Sequence, residues 1–170
     1  DETPFTLDIA KIPTLKPAFK KDGTVTAASS SGISDGAAAL VLARESFAAS
    51  QDRKPLARIL GYTSFAREPE WFTLAPIGAI QKLLKQLDWQ AKDADLYEIN
   101  EAFAAVPMAA IKDLGLDHEQ VNVNGGAVAL GHPLGATGTR LVLTLLHELN
   151  RRQKRYGLAT ACIGGGQGIA

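Results

Sequence analysis

The amino-acid sequence predicts an α/β protein in which helices cover both faces of a sheet. Three observations support this prediction. Short apolar strand candidates alternate with longer amphipathic helix candidates from residue 56 onward. Polar or small-residue loops follow several of those strands, where α/β proteins commonly bind ligands. The 170 residues contain no internal repeat and suffice for one domain with a hydrophobic core.

The first 50 residues predict mainly irregular structure followed by one helix. Three prolines and a polar turn indicate an extended segment. Residues 24–26 are a short strand candidate, and residues 29–32 are a loop of serines and glycine. Ser34 and Asp35 could cap a helix, which alanine and leucine favour over residues 36–49.

The remaining elements follow in order from residue 56. Alternating or continuous apolar residues predict strands, and apolar residues three to four positions apart predict helices. Strands are predicted at residues 56–65, 95–99, 121–123, 157–163 and 167–170, the last of them unfinished at the chain end. Helices are predicted at residues 75–87, 102–114 and 137–152.

Composition excludes several classes of protein. Lysine plus arginine and aspartate plus glutamate number 18 each, so no net charge attracts the chain to nucleic acid or to an anionic membrane. We interpret the basic run at residues 151–155 as the exposed end of a helix. Apolar stretches are too short to cross a bilayer. The single cysteine excludes an internal disulfide and suits a reducing compartment, so we expect a cytoplasmic protein.

Asn100 is a first candidate functional residue, because it follows the strand predicted at residues 95–99. Its side chain could cap the next helix. Alternatively, its amide could hold a water or a carbonyl oxygen where negative charge develops during a reaction. Both interpretations are open at this point.

A glycine-rich loop spans residues 122–138 and leads into a helix. Its five glycines would let the backbone approach a ligand closely. His132 lies between Gly131 and Pro133 in this loop, as a positioned general base would, although a structural histidine is an equal alternative. The loop matches neither common phosphate-binding pattern, which disfavours nucleotide binding.

Cys162 lies near the end of a predicted strand. One isoleucine separates it from three consecutive glycines, Gly164, Gly165 and Gly166. A lone cysteine is most often a buried apolar residue. Here the glycine amides could turn toward an anion and lower the thiol pKa toward the range useful for proton transfer. Cys162 is therefore a candidate acid–base residue, with core packing as the alternative.

Taken together and in this order, four segments resemble the thiolase family. They are residues 24–38, the sequence Asn-Glu-Ala-Phe at 100–103, residues 124–138 with their central Gly-His-Pro, and Cys-Ile-Gly-Gly-Gly at 162–166. Each segment is weak alone, but the set is specific and spans nearly the whole chain. Thiolases transfer an acyl group between a thiol and coenzyme A through a nucleophilic cysteine in their N-terminal half.

The resemblance implies a role for each matching residue. His132 would activate the nucleophilic cysteine, and Cys162 would protonate the leaving coenzyme A thiol or remove the α-proton of acetyl-CoA. Asn100 would hold the water that forms one oxyanion hole with His132, and the N–H of Gly164 would contribute to the other. The residues implied to bind the substrate or its pantetheine arm are Ser30, Ser31 and Phe103.

The resemblance also implies the domain organisation. Thiolases have two similar five-stranded α/β halves, and this chain would supply most of the second as a five-stranded mixed sheet. Residues 1–33 would be the tail of the loop that covers coenzyme A, residues 34–54 the last helix and linker of the N-terminal half, and residues 55–170 the C-terminal domain. The helix at residues 36–49 would then bury apolar surface against the N-terminal half.

The leading prediction is therefore an acetoacetyl-CoA thiolase that uses acyl-CoA and coenzyme A as substrates, with no metal or other cofactor. Its partners would be the N-terminal thiolase half and further copies in a homodimer or homotetramer. Because Cys162 is the only cysteine, the chain alone is expected to be inactive. The chain begins at Asp1 rather than at methionine, so mitochondrial and peroxisomal locations stay open.

Two alternatives share the same fold. A non-catalytic module that binds coenzyme A or lipid would have no need of an acid, a base and oxyanion donors together. A β-ketoacyl synthase resembles thiolases in fold but places two histidines in its pocket, whereas Asn100 and Cys162 accompany His132 here. We therefore favour the thiolase.

Overall fold

A mixed four-stranded sheet organises residues 3–170, the part of the chain that the computed structural model describes. The strands are β1 (Ser64–Ala66), β2 (Leu96–Ile99), β3 (Gly157–Ile163) and β4 (Gln167–Ile169), in the spatial order β1-β4-β3-β2. β2 and β3 are parallel, and the other two pairs are antiparallel. The two central strands are therefore β3 and β4, joined by a tight turn.

Six α-helices of the described chain accompany this sheet. They are α1 (Thr3–Thr6), α2 (Glu45–Ser50), α3 (Ala75–Leu87), α4 (Ala105–Leu114), α5 (Ala127–Leu130) and α6 (Leu134–Arg151). Short 3-10 turns occur at Ile9–Thr14, Ala27–Ser29, Pro69–Leu74, Ala91–Asp93 and His118–Gln120. Within residues 3–170, no helix has both the length and the apolar content that a membrane crossing requires.

α3 and α6 cover opposite faces of the sheet. Apolar residues of α3, including Ile80, share one buried cluster with Tyr97 of β2 and Leu158 of β3. Adjacent strand residues point to the other face, where a Cβ on Gly157 would lie 2.8 Å from the side chain of Leu145 in α6. The prediction of an α/β sheet with helices on both faces is therefore confirmed.

Several predicted elements agree with the structure. β3 and α3 have the predicted bounds, and β2 and β4 agree with the predictions to within one residue. α6 begins three residues earlier than predicted, because the carbonyl oxygen of Pro133 already accepts the N–H groups of Ala136 and Thr137. α4 begins three residues later than predicted, because the backbone of Ala102 and Ala104 bonds instead to residues of the N-terminal segment.

The predicted count of five strands is wrong, since the sheet has four. Residues 56–63 are not a strand, and only Ser64–Ala66 pair with β4. Residues 121–123 make a single bridge, from Val121 to Tyr97, because Asn122 has a φ of 49° that turns the chain out of the extended conformation. Residues 24–26 also form no strand.

The helix predicted at residues 36–49 is largely absent. Helix α2 covers only Glu45–Ser50, and residues 36–44 have no regular secondary structure. Val41 is 96% exposed and Leu42 74% exposed, so both side chains lie largely outside the packed core. A short helix without such packing is marginal in water, even in an alanine-rich sequence.

Candidate active site

The candidate site lies at the edge of the sheet where the parallel strands β2 and β3 both end. Asn100 directly follows β2, and its backbone N–H donates to the carbonyl oxygen of Thr160 in β3 at 2.9 Å. Cys162 lies two residues further along β3. The carboxyl ends of adjacent parallel strands are where open α/β sheets commonly bind ligands.

Asn100 is completely buried, at 0% exposure. Its Nδ2 lies 3.4 Å from Nε2 of His132, while its Oδ1 has no hydrogen-bond partner among residues 3–170. It does not cap α4, whose N-cap position is Ala104. An unsatisfied buried acceptor is unfavourable by about 1–3 kcal/mol, so the amide is suited to hold a water or a polar group of a ligand.

Hydrogen bonds to Glu101 connect the glycine-rich loop to the end of β2. Its two carboxylate oxygens accept the backbone N–H of Val128 at 3.0 Å and the side-chain amide of Asn122 at 2.9 Å. Asn122 also exchanges two hydrogen bonds with the backbone of Ile99. A Cβ on Gly126 would lie 2.2 Å from the carboxyl carbon of Glu101, so a larger residue there would displace this carboxylate.

His132 is half-buried and is held from three directions. Its backbone N–H donates to the carbonyl oxygen of Gly32 at 2.8 Å, and its Nε2 faces Asn100. Its Nδ1 lies 2.7 Å from Oγ1 of Thr137, in the first turn of α6. Gly131, with a φ of 94°, provides the backbone turn that brings the ring into this position.

The Thr137 hydroxyl selects the tautomer of the imidazole. That hydroxyl donates its only proton to the carbonyl oxygen of Pro133 at 2.9 Å. Toward His132 it can therefore only accept, which places the ring proton on Nδ1 and leaves Nε2 with a free lone pair. The amide of Asn100 is compatible with this arrangement, because its Nδ2 is a donor.

The imidazole is held in its neutral form. Burial lowers the pKa of His132, and the nearby charge of Arg140 lowers it further. A neutral imidazole with no proton on Nε2 is the state that a general base requires. No role was predicted for Thr137, although its place in the first turn of the helix after Gly-His-Pro was a usable signal.

Cys162 is half-buried and packs against the core cluster that also contacts Phe103. Burial raises the pKa of its thiol, which corrects the expectation that neighbouring glycine amides would lower it. A thiol with a raised pKa stays protonated at neutral pH, which suits a proton donor better than a resting thiolate. No hydrogen bond joins Cys162 to His132 within the described chain.

Gly164 begins the turn between β3 and β4. The next two residues, Gly165 and Gly166, have φ values of 82° and 90°. A Cβ on Gly166 would lie 2.1 Å from the carbonyl oxygen of Arg67, so this turn also depends on glycine. The backbone at Gly164 therefore lies at the same edge of the sheet as Asn100.

The remaining predicted residues gather around Phe103. Ser30 forms a backbone bridge with Phe103, and the N–H and hydroxyl of Ser31 both donate to the carbonyl oxygen of Ala102 at 3.2 Å. Phe103 also makes edge-to-face contacts with Phe19 and Phe72, with ring centroids 6.0 and 6.4 Å apart. The N-terminal segment thus supplies an apolar border next to Asn100.

Two family models match this chain. The model described as the thiolase C-terminal domain matches residues 53–170, and the model described as the thiolase N-terminal domain matches residues 1–46.

Relatives and solved structures agree with those matches. The chain is 56% identical to the acetyl-CoA acetyltransferase of Escherichia coli (strain K12) and 54% identical to that of Chromobacterium violaceum, over 92% of this chain and 40% of each relative. It superimposes on the Bacillus anthracis acetyl-CoA acetyltransferase with a TM-score of 0.93 and 50% identity, over 96% of this chain and 42% of that one. For human mitochondrial 3-ketoacyl-CoA thiolase in complex with CoA the TM-score is 0.89 and the identity 43%, with the same coverage. The chain thus spans about 40% of the length of the relatives it matches.

Proposed function

Because this chain belongs to the thiolase family, we propose that it supplies the acid–base part of an acyltransferase active site that acts on acetyl-CoA and 3-oxoacyl-CoA. Acetoacetyl-CoA is the 3-oxoacyl substrate we favour, since the similar proteins include several named acetyl-CoA acetyltransferases. The observation that carries the proposal is the orientation of His132, with Thr137 at one ring nitrogen and Asn100 at the other.

His132 acts as the general base for a cysteine nucleophile. We propose that this nucleophile belongs to a polypeptide region other than residues 1–170, because Cys162 is the only cysteine in the sequence. A free cysteine thiol is only a few per cent thiolate at neutral pH, so removal of its proton by Nε2 of His132 increases its reactivity. By itself, the chain is then expected to show no turnover.

In the synthetic direction, the thiolate attacks the carbonyl carbon of one acetyl-CoA and its thioester bond breaks. Cys162 gives its proton to the departing coenzyme A thiolate. The Cys162 thiolate then removes an α-proton from a second acetyl-CoA, and the resulting enolate carbon attacks the acetyl-cysteine. A carbon–carbon bond forms, the acetyl–sulfur bond breaks, and the cysteine leaves as the thiolate, which recovers its proton from His132.

Two oxyanions develop during this sequence, and each has a proposed donor set. Asn100 holds a water that, with His132, faces the enolate oxygen of the second acetyl-CoA; its unsatisfied Oδ1 supports a bound water there. The N–H of Gly164 faces the oxyanion of the acyl-cysteine. Loss of one such donor typically costs about 2.7–4 kcal/mol of transition-state stabilisation. Ser30, Ser31 and Phe103 would border the pantetheine arm.

We also propose the rest of the assembly from the family. Residues 1–33 would be the tail of the loop that covers coenzyme A, residues 34–54 the end of the N-terminal half, and residues 55–170 the C-terminal domain. The rest of the N-terminal half would cover exposed apolar side chains such as Val41 and Leu42. The complete protein would be a cytoplasmic homodimer or homotetramer, and coenzyme A would be a substrate, with no further cofactor.

A chimeric enzyme tests the function. Residues 1–170 replace the matching segment of the E. coli acetyl-CoA acetyltransferase, which is 56% identical, and thiolysis of acetoacetyl-CoA is followed by absorbance. We expect turnover by the chimera and none by the chain alone. A soluble chimera that binds coenzyme A in calorimetry but shows no thiolysis would contradict catalysis and favour the non-catalytic coenzyme A-binding alternative.

A further inference from the structure

A buried ion pair lies beside the candidate site and has no part in the chemistry proposed above. Oε2 of Glu98 lies 3.2 Å from Nη1 of Arg140. Glu98 is only 2% exposed, although glutamate is almost never fully buried without a partner. Glu98 precedes Asn100 by two residues, and Arg140 follows Thr137 by three.

These spacings place the ion pair next to the imidazole contacts. Residues two apart in a strand point to the same face, and residues three apart in a helix are neighbours on its surface. The Glu98–Arg140 contact therefore lies beside the contacts that His132 makes with Asn100 and with Thr137. Both connect the same end of β2 with the first half of α6.

The burial of this pair is costly, so stability alone does not account for it. Burial raises the pKa of Glu98 to about 7, and the charges of Glu101 and Glu148 raise it, while Arg140 opposes them. A buried ion pair is often no more stabilising than apolar side chains of the same volume, yet removal of one partner is strongly destabilising. Such a pair fixes geometry more than it adds free energy.

We infer that the Glu98–Arg140 ion pair is a positioning element for His132. It holds α6 against β2 at the separation that lets Thr137 and Asn100 meet the two ring nitrogens at the same time. The inference rests on the proposed function only in taking His132 as the base. Neither Glu98 nor Arg140 is a catalytic residue in this account, because each acts through the imidazole and its partners.

Opposite changes are expected when each partner is altered. R140M leaves Glu98 buried without its cation, so the strand and helix separate and the Nδ1–Thr137 bond weakens. Loss of the Arg140 charge by itself raises the pKa of His132, so the tautomer, and not the pKa, reports the separation. E98Q keeps an oxygen that can accept from Arg140, so the separation is retained. The charge of Arg140 is then uncompensated, and the pKa of His132 falls.

Nitrogen-15 NMR of the imidazoles in the full 170-residue chain tests the inference without any need for turnover. The three histidines provide His118 and His147 as internal references. Arg151→Met is the matched control, because Arg151 also pairs from α6 with a buried glutamate, Glu148. The tautomer and pKa of His132 should change in R140M, recover partly in R140K and stay at wild-type values in R151M.

Two results would overturn the inference. One is a folded R140M chain in which His132 keeps the wild-type tautomer. If R140M does not fold, the isosteric E98Q chain decides: because it retains the separation of β2 and α6, loss of the wild-type His132 tautomer there is the second contradicting result. The chimera could be inactive while the variants still show the expected NMR changes at His132. That outcome would refute the proposed function but support the positioning role. In an active chimera, R140M should lower kcat about tenfold to a hundredfold with little change in KM.

Discussion

Residues 3–62 and residues 63–170 differ in how they are stabilised. Every buried residue of the described chain lies at Thr63 or beyond, whereas the earlier region contains none. The later region forms the sheet, its two covering helices and the candidate base. The earlier region contributes backbone contacts, such as the carbonyl oxygen of Gly32 that accepts from His132. The geometry of the base therefore depends mainly on the later region, while the earlier one leaves apolar side chains for another surface.

The largest expected effect comes from removing the imidazole. His132→Ala in the chimera should lower kcat by about 10²- to 10⁴-fold, the usual contribution of a positioned general base. His118→Ala is the control, because His118 lies in the same region but is exposed and outside the site. Equal activity of the H132A and wild-type chimeras in the acetoacetyl-CoA assay would remove His132 from the mechanism.

A matched pair of core and surface variants compares the two regions directly. Ile80→Ala removes a side chain that is 0% exposed and should reduce the free energy of unfolding by about 2–5 kcal/mol. Val41→Ala, at 96% exposure, should change it by less than about 0.5 kcal/mol. Urea denaturation of the 170-residue chain measures both. A large loss in V41A would mean that the earlier region is packed in solution.

Loss of the Thr137 hydroxyl is expected to have a smaller kinetic effect. Thr137→Val keeps the volume of the side chain but removes the acceptor for the Nδ1 proton, so kcat in the chimera should fall about tenfold to a hundredfold. Thr139→Val, in the same helix, is the control and should retain activity. Wild-type kcat in T137V would show that the imidazole does not need this hydroxyl.

The smallest expected effect is a change in how stability depends on pH. The pKa of His132 is lowered on folding, so between that value and about 6.5 the unfolded chain binds more protons than the folded chain. Protonation of His132 therefore lowers the free energy of unfolding as the pH falls through that window. His132→Gln should reduce the acid loss of unfolding free energy relative to wild type. Identical pH profiles for H132Q and wild type would contradict the lowered pKa.

The sequence predicted the later region well because its signals are local. The apolar face of α3 and the continuous apolar run of β3 are complete within their own residues, and both elements have the predicted bounds. In the earlier region, local signals alone led to a wrong prediction. Alanine and leucine at residues 36–44 favour a helix, but none of these side chains is fully buried in the structure.

The candidate site needed more than local patterns. Asn100 and His132 are 32 positions apart, and only the fold brings their side chains within 3.4 Å. Their pairing was anticipated through resemblance, whereas Thr137 and the Glu98–Arg140 pair were recognised only from their contacts. The direction of the Cys162 pKa shift was also mistaken, because burial of the thiol cannot be judged from the glycines that follow it.

The protonation state of His132 is the most direct test of the account. A nitrogen-15 NMR spectrum of the wild-type chain at pH 7.5 identifies the nitrogen that carries the proton. The account predicts a neutral ring with its proton on Nδ1 and a free lone pair on Nε2. A proton on Nε2, or a charged ring at that pH, would contradict it.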